Sequence, residues 1–158
     1  MEEKHQQILE AIGELASAPP EVVLPPAAAL YGVQFYDFEE KKHIFARCPA
    51  RTEWAGAGGE VHRETLAAAA GLCAEALAIA LAKKRCALVS MEAQFFKSIT
   101  ADGRDMTLEA RLKATRGSIA FCEVTAKCID AKLSARFMYQ YAVLKSPLGS
   151  GPVEEGDE

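Results

Sequence analysis

The residues best suited to chemistry lie at the start of one alanine-rich segment and inside it. His62 and Glu64 follow the glycine pair Gly58-Gly59, and Glu75 is the one charged residue in a long apolar run. Imidazole and carboxylate groups can transfer protons, so these side chains could act as general acids or bases. Glu64 has a structural explanation too, because the helix dipole stabilises a carboxylate in a first helical turn.

Glu75 is harder to explain by structure alone, since burying a carboxylate among apolar side chains is costly without a partner. The first possibility is that it faces a cleft or a subunit interface. The second is that it pairs with an arginine on a strand, and Arg111 and Arg136 are the candidates. The sequence leaves both possibilities open.

The segment that carries these residues is predicted to be a long helix over residues 62–84. It is rich in alanine, the strongest helix former, and it contains few β-branched residues. Apolar residues occur all around it, which is typical of a helix enclosed by other elements. We therefore expect a buried core helix rather than a membrane span.

Strand-like segments lie on both sides of this helix. Two precede it, at residues 30–38 and 43–48, and four follow it, at residues 89–95, 106–114, 120–128 and 133–143. In the last four, apolar and polar residues alternate, which predicts strands with one buried face. The connections are too short for parallel crossovers, so one antiparallel sheet is expected around the helix.

The 158 residues are expected to form one domain with a short extension at each end. Residues 1–27 contain a predicted helix at residues 2–17, followed by two proline pairs that keep the chain extended. Residues 28–145 form the predicted domain. Residues 146–158 are rich in glycine, proline and acidic residues, and we expect a disordered tail there.

Net charge and cysteine content limit which binding partners and which cellular compartment are expected. A net charge of -4 argues against nucleic-acid binding, which requires a basic face. Five scattered cysteines and no signal-like amino-terminal run favour a reducing, cytoplasmic setting, with the thiols acting as small buried hydrophobes. Three scattered histidines form no metal motif, so no metal is expected.

Two strands, a long buried helix and four strands, in that order, resemble the hotdog-fold thioesterase superfamily, particularly the small acyl-CoA thioesterases related to the phenylacetate pathway. The resemblance covers residues 28–145. It rests on this order, on the glycine-containing loop that leads to the histidine (residues 58–62) and on the strand that ends in a basic step (residues 95–98). It implies an α+β fold in which five or six antiparallel strands wrap the helix.

In that superfamily the loop typically reads Gly-x-x-His-Gly-Gly. The backbone N–H after the histidine polarises a thioester carbonyl, and a carboxylate further along the helix activates water or attacks the carbonyl. Gly59 and His62 match this pattern, whereas Arg63 and Glu64 replace the two glycines. The carboxylate position, nine residues after the histidine, is Gly71.

The resemblance thus implies hydrolysis of an acyl thioester with a relocated carboxylate. Glu64 is the first candidate for the acid or base, with His62 at the carbonyl and Glu75 as a further candidate. Coenzyme A would enter only as part of the substrate, so no separate cofactor is expected. Candidates for contacts with the substrate are Gly58, Gly59, Arg63 and Trp54, and candidates for contacts with the phosphates are Lys97 and Arg116.

Two other functions stay open. One is a hotdog protein that binds an acyl thioester without turnover. The other is a dehydratase-like hotdog protein, for which His62 and Glu75 would form the catalytic pair. In each case the uncovered side of the helix and the sheet edges favour a homodimer or a dimer of dimers.

Overall fold

The computed structural model describes residues 31–39, 43–82 and 84–147. The helix predicted over residues 2–17 lies outside the described residues, as does most of the predicted tail. The described elements are, in chain order, β1 (Gln34–Glu39), β2 (His43–Pro49), a 3-10 turn (Thr52–Trp54), α1 (Arg63–Ala82), β3 (Lys84–Phe95), β4 (Asp105–Arg116), β5 (Ile119–Lys127) and β6 (Leu133–Pro147).

The strands form one sheet in the order β1-β2-β4-β5-β6-β3, and every neighbouring pair is antiparallel. α1 lies across one face of this sheet and contacts the strands from β2 to β6. The α+β architecture predicted from the sequence is therefore confirmed. Within the described part of the chain, β1 and β3 are the edge strands.

The core lies between α1 and the sheet. Alanines and Cys73 on the buried side of α1 let the sheet approach closely, and larger side chains from the strands fill the space between them. Fully buried examples are Ile44, Leu108, Val124 and Phe137. Burial of one such side chain stabilises the fold by about 1.5–3 kcal/mol, so this sheet face holds α1 firmly.

Among the described residues, α1 is the one helix long and apolar enough to cross a membrane by length and composition. More than half of its apolar window is buried inside the fold. This burial agrees with the core helix predicted from the sequence.

The end of α1 and the start of β3 differ from the prediction. The helix was expected to reach residue 84, but α1 ends at Ala82 and β3 begins at Lys84, ahead of the predicted start at Val89. The additional residues of β3 pair with β6, for example Cys86 with Val143. Because β6 offers backbone partners here, strand pairing overrides the local preference for helix.

Two β-bulges change which side chains face α1. In β3 the register shifts between Leu88 and Ser90, so Val89 is the extra residue and is exposed, although the alternation predicts that it is buried. In β4 the register shifts after Leu112, and Ala114 is exposed for the same reason. A bulge adds one residue and reverses the parity beyond it, which residue types alone do not reveal.

Candidate functional site

An open cleft runs along α1 beside the edge of the sheet. Its volume is about 390 Å³, and most of its lining is apolar. Three elements contribute side chains: α1, the edge strand β3 and the neighbouring strand β6. The lining residues are Glu64, Ala67, Ala68, Gly71, Leu72 and Glu75 from α1, Leu88 and Met91 from β3, and Tyr139 and Tyr141 from β6.

Helical spacing explains why two carboxylates share this cleft. Gly71 lies seven residues after Glu64 and four before Glu75, and an α-helix returns to nearly the same face at such steps. Ala67 and Ala68 lie between them on that face. The helix wall of the cleft is therefore built from three small residues and Leu72, with one glutamate at each end.

Two tyrosines of β6 line the cleft and hold α1 in position. The Tyr139 hydroxyl donates a hydrogen bond to the carbonyl oxygen of Ala67 (2.6 Å). The Tyr141 hydroxyl donates one to the carbonyl oxygen of Gly71 (2.9 Å). Burial raises the pKa of both phenols well above their ordinary value of 10.0, so both stay protonated and keep donating.

Gly71 lies where Tyr139 approaches α1 closely. A Cβ atom at this position would be 3.3 Å from Cε1 of Tyr139, which is tighter than ordinary van der Waals contact. Tyr139 is buried and its hydroxyl is bonded to Ala67, so its ring has little room to move. The contact accounts for the absence of a side chain here, including the carboxylate that the sequence resemblance leads one to expect.

The start of α1 places backbone N–H groups next to Glu64. The His62 carbonyl accepts the first helical hydrogen bond, from the Leu66 N–H (3.0 Å), and the His62 N–H donates to the Trp54 carbonyl (2.9 Å). The N–H groups of the first helical turn have no partner within the helix. They are suited to bind an anionic or carbonyl oxygen beside Glu64.

His62 and Glu64 contact each other across this first turn. Nδ1 of His62 lies 2.6 Å from Oε2 of Glu64. The two side chains are 57% and 81% exposed, so water reaches the carboxylate freely. A carboxylate oriented by an imidazole N–H, next to backbone N–H groups, can take a proton from a water molecule that attacks a carbonyl.

Glu75 lies in different surroundings at the other end of the wall. Burial raises the pKa of its carboxyl group above the ordinary value of 4.5. Neither candidate arginine reaches it, because both lie on the sheet face opposite α1. Arg111 contacts Glu109 there (2.6 Å). Arg136 lies 3.7 Å from Glu123 on the same face. Glu75 therefore makes no ion pair within the described residues, and it lines the cleft instead.

Arg63 and Trp54, predicted to contact the substrate, are absent from the lining of the cleft. The Arg63 guanidinium lies over the ring of Phe95, with Cζ 4.9 Å from the ring centroid, in a cation–π contact. This contact keeps Arg63 out of the cleft. Trp54 packs against Tyr31 (5.4 Å between ring centroids) and supports the loop that precedes α1.

Gly58 and Gly59 belong to that loop and are also absent from the lining. Gly59 has a φ of 77°, a conformation that favours glycine. Its N–H donates to the Gly56 carbonyl (3.1 Å), and its carbonyl accepts from the Ala101 N–H (3.0 Å). The first bond closes a turn within the loop and the second ties the loop to the segment after β3, so Gly59 shapes the approach to His62.

Lys97 and Arg116, the candidates for phosphate binding, do not converge on one site. Nζ of Lys97 lies 2.8 Å from Oδ2 of Asp130, near the start of β6, in a second pocket of about 270 Å³. Arg116 pairs with Ile119, which is opposite Ala142 in the later part of β6. At about 3.3 Å per strand residue, most of the length of β6 separates the two cations.

Cysteine chemistry does not contribute to the cleft. All five cysteines are free, and none is part of the lining. Burial, together with the nearby charge of Glu75, raises the pKa of Cys86 to about 11. Its thiol therefore stays protonated, and a protonated thiol is a poor nucleophile. Among the residues that the structure describes, no group of three His, Cys, Asp or Glu side chains could hold a metal ion.

Only Glu64 and Glu75 of the ten lining residues were among the predicted site residues. The other eight are Ala67, Ala68, Gly71 and Leu72 of α1, Leu88 and Met91 of β3, and Tyr139 and Tyr141 of β6. The alternation in β6 does predict both tyrosines on the buried face. A buried phenol needs a hydrogen-bond partner, so two of them facing a helix were a usable signal. Leu88 lies between the predicted helix, which ended at residue 84, and the predicted strand, which began at Val89, and no sequence signal placed it at a cleft.

Solved structures similar to this chain belong to hotdog-fold proteins. The PaaI protein of Escherichia coli, from the phenylacetic acid degradation operon, has a TM-score of 0.79 and 10% identity, and the match covers 90% of this chain and 97% of that one. A mutant thioesterase from Pseudomonas aeruginosa has a TM-score of 0.71 and 14% identity, with coverage of 87% and 93%. A Streptococcus mutans protein bound to acetyl-CoA has a TM-score of 0.66 and 12% identity, and the match covers 73% of this chain and 90% of that one.

The chain therefore has the hotdog fold, and the fold inferred from the sequence resemblance is confirmed. Thioesterases are among the proteins that share it. At 10–14% identity these likenesses concern the fold and do not extend to activity. The sequence matches no protein-family model and is similar to no curated protein.

Proposed function

We propose that this protein is a thioesterase that hydrolyses an acyl thioester, with acyl-CoA as the first substrate class to test, at the start of α1. The observation that carries the proposal is the position of Glu64. It lies at the end of an apolar cleft, in contact with His62 (2.6 Å) and next to the unpartnered N–H groups of the first helical turn. The thioesterases among the structural neighbours, and the neighbour bound to acetyl-CoA, support this choice of substrate.

In the proposed reaction, water attacks the carbonyl carbon and Glu64 accepts the proton that the water releases. The oxyanion formed at the carbonyl oxygen accepts hydrogen bonds from the first-turn N–H groups. The C–S bond then breaks, and the departing sulfur takes the proton from Glu64, which yields a carboxylic acid and a free thiol. The acyl chain extends along the wall of α1 towards Leu72, Leu88 and Met91. His62 orients Glu64 through the contact at Nδ1.

The test is thiol release from a panel of acyl-CoAs by wild type, Glu64→Gln and Glu60→Gln. Glu60 is a matched control, because it is an exposed glutamate in the preceding loop and does not line the cleft. A general base typically contributes about 10²–10⁴ in rate, so Glu64→Gln should lose at least two decades of kcat while Glu60→Gln keeps wild-type activity. Full activity in Glu64→Gln would remove Glu64 from the mechanism.

A second candidate function is binding of an acyl thioester without turnover. The observation in its favour is Gly71, because the contact with Tyr139 leaves the middle of the cleft without a carboxylate. A folded wild-type protein that releases no thiol from any acyl-CoA, yet binds these compounds in calorimetry, would favour this function over hydrolysis.

We further propose that a second copy of the chain covers the cleft along β3. Among the described residues β3 is an edge strand, and its exposed Leu88, Val89 and Met91 leave apolar side chains and backbone groups that no other described element covers. The test is sedimentation of wild type and Val89→Asp, since Val89 does not line the cleft. We expect a wild-type dimer and a weakened dimer in the variant. A monomeric wild type at high concentration would contradict the proposal.

A further inference from the structure

The carboxylate of Glu75, at the end of the cleft that the acyl chain reaches, has no role in the proposed hydrolysis. The side chains that share this end are apolar or already engaged. Leu72, Leu88 and Met91 are aliphatic, and the Tyr141 hydroxyl is occupied by the Gly71 carbonyl. The Tyr141 oxygen keeps only neutral lone pairs, so Glu75 is the one carboxylate and the strongest hydrogen-bond acceptor at this end, among the described residues.

Glu75 is too far from Glu64 to act on the same carbonyl. The two residues are eleven positions apart on α1. At 1.5 Å per residue this places their Cα atoms about 16 Å apart along the helix axis. A thioester carbonyl next to Glu64 would thus leave Glu75 near the far end of a medium-length acyl chain.

A half-buried carboxylate without a partner destabilises the fold unless a ligand compensates it. Glu75 makes no ion pair within the described residues, and loss of solvent raises the pKa of its carboxyl group. A ligand end with no hydrogen-bond donor would leave this group desolvated and unsatisfied. A ligand end that donates a hydrogen bond would satisfy it, and such sites discriminate strongly between the two kinds of ligand.

We propose that Glu75 is a specificity-determining residue, which selects acyl groups whose far end carries a hydrogen-bond donor such as a hydroxyl or an ammonium group. The apolar residues between the two glutamates contact the methylene chain, and Glu75 accepts the hydrogen bond from its end. The inference rests on the proposed function for the orientation of the substrate, with the thioester at Glu64. It assigns Glu75 to binding rather than to proton transfer.

The test uses decanoyl-CoA, omega-hydroxydecanoyl-CoA and omega-aminodecanoyl-CoA as substrates, together with their non-hydrolysable thioether analogues for calorimetry. Wild type is compared with Glu75→Leu, Glu75→Gln and the control Glu92→Gln. Glu92 is an exposed glutamate of β3 that does not line the cleft. Glutamine keeps a hydrogen-bond acceptor of the same shape but carries no charge. Comparing the hydroxyl-ended and the amino-ended substrate therefore separates a neutral hydrogen bond from an ion pair.

We expect wild type to favour the donor-ended chains over decanoyl by about tenfold or more, because hydrogen bonds to charged groups are strong. Glu75→Leu should lose or reverse this preference, and Glu92→Gln should retain it. Glu75→Gln should retain part of the preference for the hydroxyl chain and lose most of that for the amino chain. An unchanged preference in Glu75→Leu would overturn the inference, as would equal losses on all three substrates.

The two readouts separate this inference from the proposed function. If no substrate is hydrolysed but the thioethers bind with a preference that depends on Glu75, the selectivity stands and hydrolysis does not. If hydrolysis proceeds without any preference, hydrolysis stands and the selectivity does not. If the Glu75 variants change the sedimentation of the protein and leave the preference intact, Glu75 belongs to a subunit contact and the inference is overturned.

Discussion

Glu64 and Glu75 lie on one face of the same helix, but in very different surroundings. The Glu64 carboxylate is exposed, contacts His62 at 2.6 Å and adjoins the backbone N–H groups of the first helical turn. Glu75 is half-buried among aliphatic side chains and has no ion-pair partner in the described part of the chain. The comparison shows that access to water and available partners, rather than residue type, separate a candidate base from a candidate recognition group.

The largest expected effect is the difference in kcat between variants at the two ends of the cleft. Glu64→Gln should lower kcat by at least about 10²-fold on decanoyl-CoA, because it removes the proton acceptor. Glu75→Gln should change kcat on the same substrate by less than about tenfold, since only binding of the chain end is altered. Steady-state kinetics of both variants measures the difference. Equal losses in the two variants would place both carboxylates in the chemistry.

A second comparison concerns stability. Tyr141→Phe removes the buried hydrogen bond to the Gly71 carbonyl near Glu75 and should cost about 0.5–1.5 kcal/mol of the free energy of unfolding. His62→Ala removes an exposed contact at the other end and should cost less than about 0.5 kcal/mol. Urea denaturation monitored by circular dichroism measures both. If His62→Ala lost more free energy of unfolding than Tyr141→Phe, the contacts at the Glu64 end of the cleft would contribute more to stability than those at the Glu75 end.

Acidity offers a third comparison. The folded state raises the pKa of Glu75 above 4.5, so it binds this proton more tightly than the unfolded chain does. The free energy of unfolding should therefore fall as pH rises through the interval between 4.5 and the higher folded pKa. Glu75→Gln removes this penalty, so the variant should gain stability over wild type at neutral pH and lose that advantage below the interval. Denaturation curves at several pH values test this, with Glu92→Gln as the control.

The smallest expected effect lies between the two glutamates, at Gly71. In an exposed helix, Gly→Ala gains about 0.5–1 kcal/mol. Here the new Cβ would lie 3.3 Å from the confined ring of Tyr139, so Gly71→Ala should show no gain in the free energy of unfolding. In a Tyr139→Leu background the ordinary gain should return. A full gain in the wild-type background would mean that Tyr139 moves aside, and the cleft would then accommodate a side chain at this position.

Local patterns predicted the elements well and their limits less well. The alanine-rich segment and the alternating segments after it correspond to α1 and to β3, β4, β5 and β6. The errors lie at Lys84, Val89 and Ala114, where pairing between strands extends β3 or inserts a bulge. Strand pairing depends on residues distant in the chain, so the residues concerned carry no local signal for it.

The candidate site likewise has features that follow from local sequence and features that depend on residues distant in the chain. The sequence by itself determined that Glu64, Gly71 and Glu75 share one face of a helix, because helical spacing follows from backbone geometry. Only the tertiary structure decided that Tyr139 occupies the space beside Gly71, that Arg63 lies over Phe95, and that neither Arg111 nor Arg136 reaches Glu75. The physical reason is that contacts across a fold depend on which strands become neighbours, whereas the spacing of side chains along one helix does not.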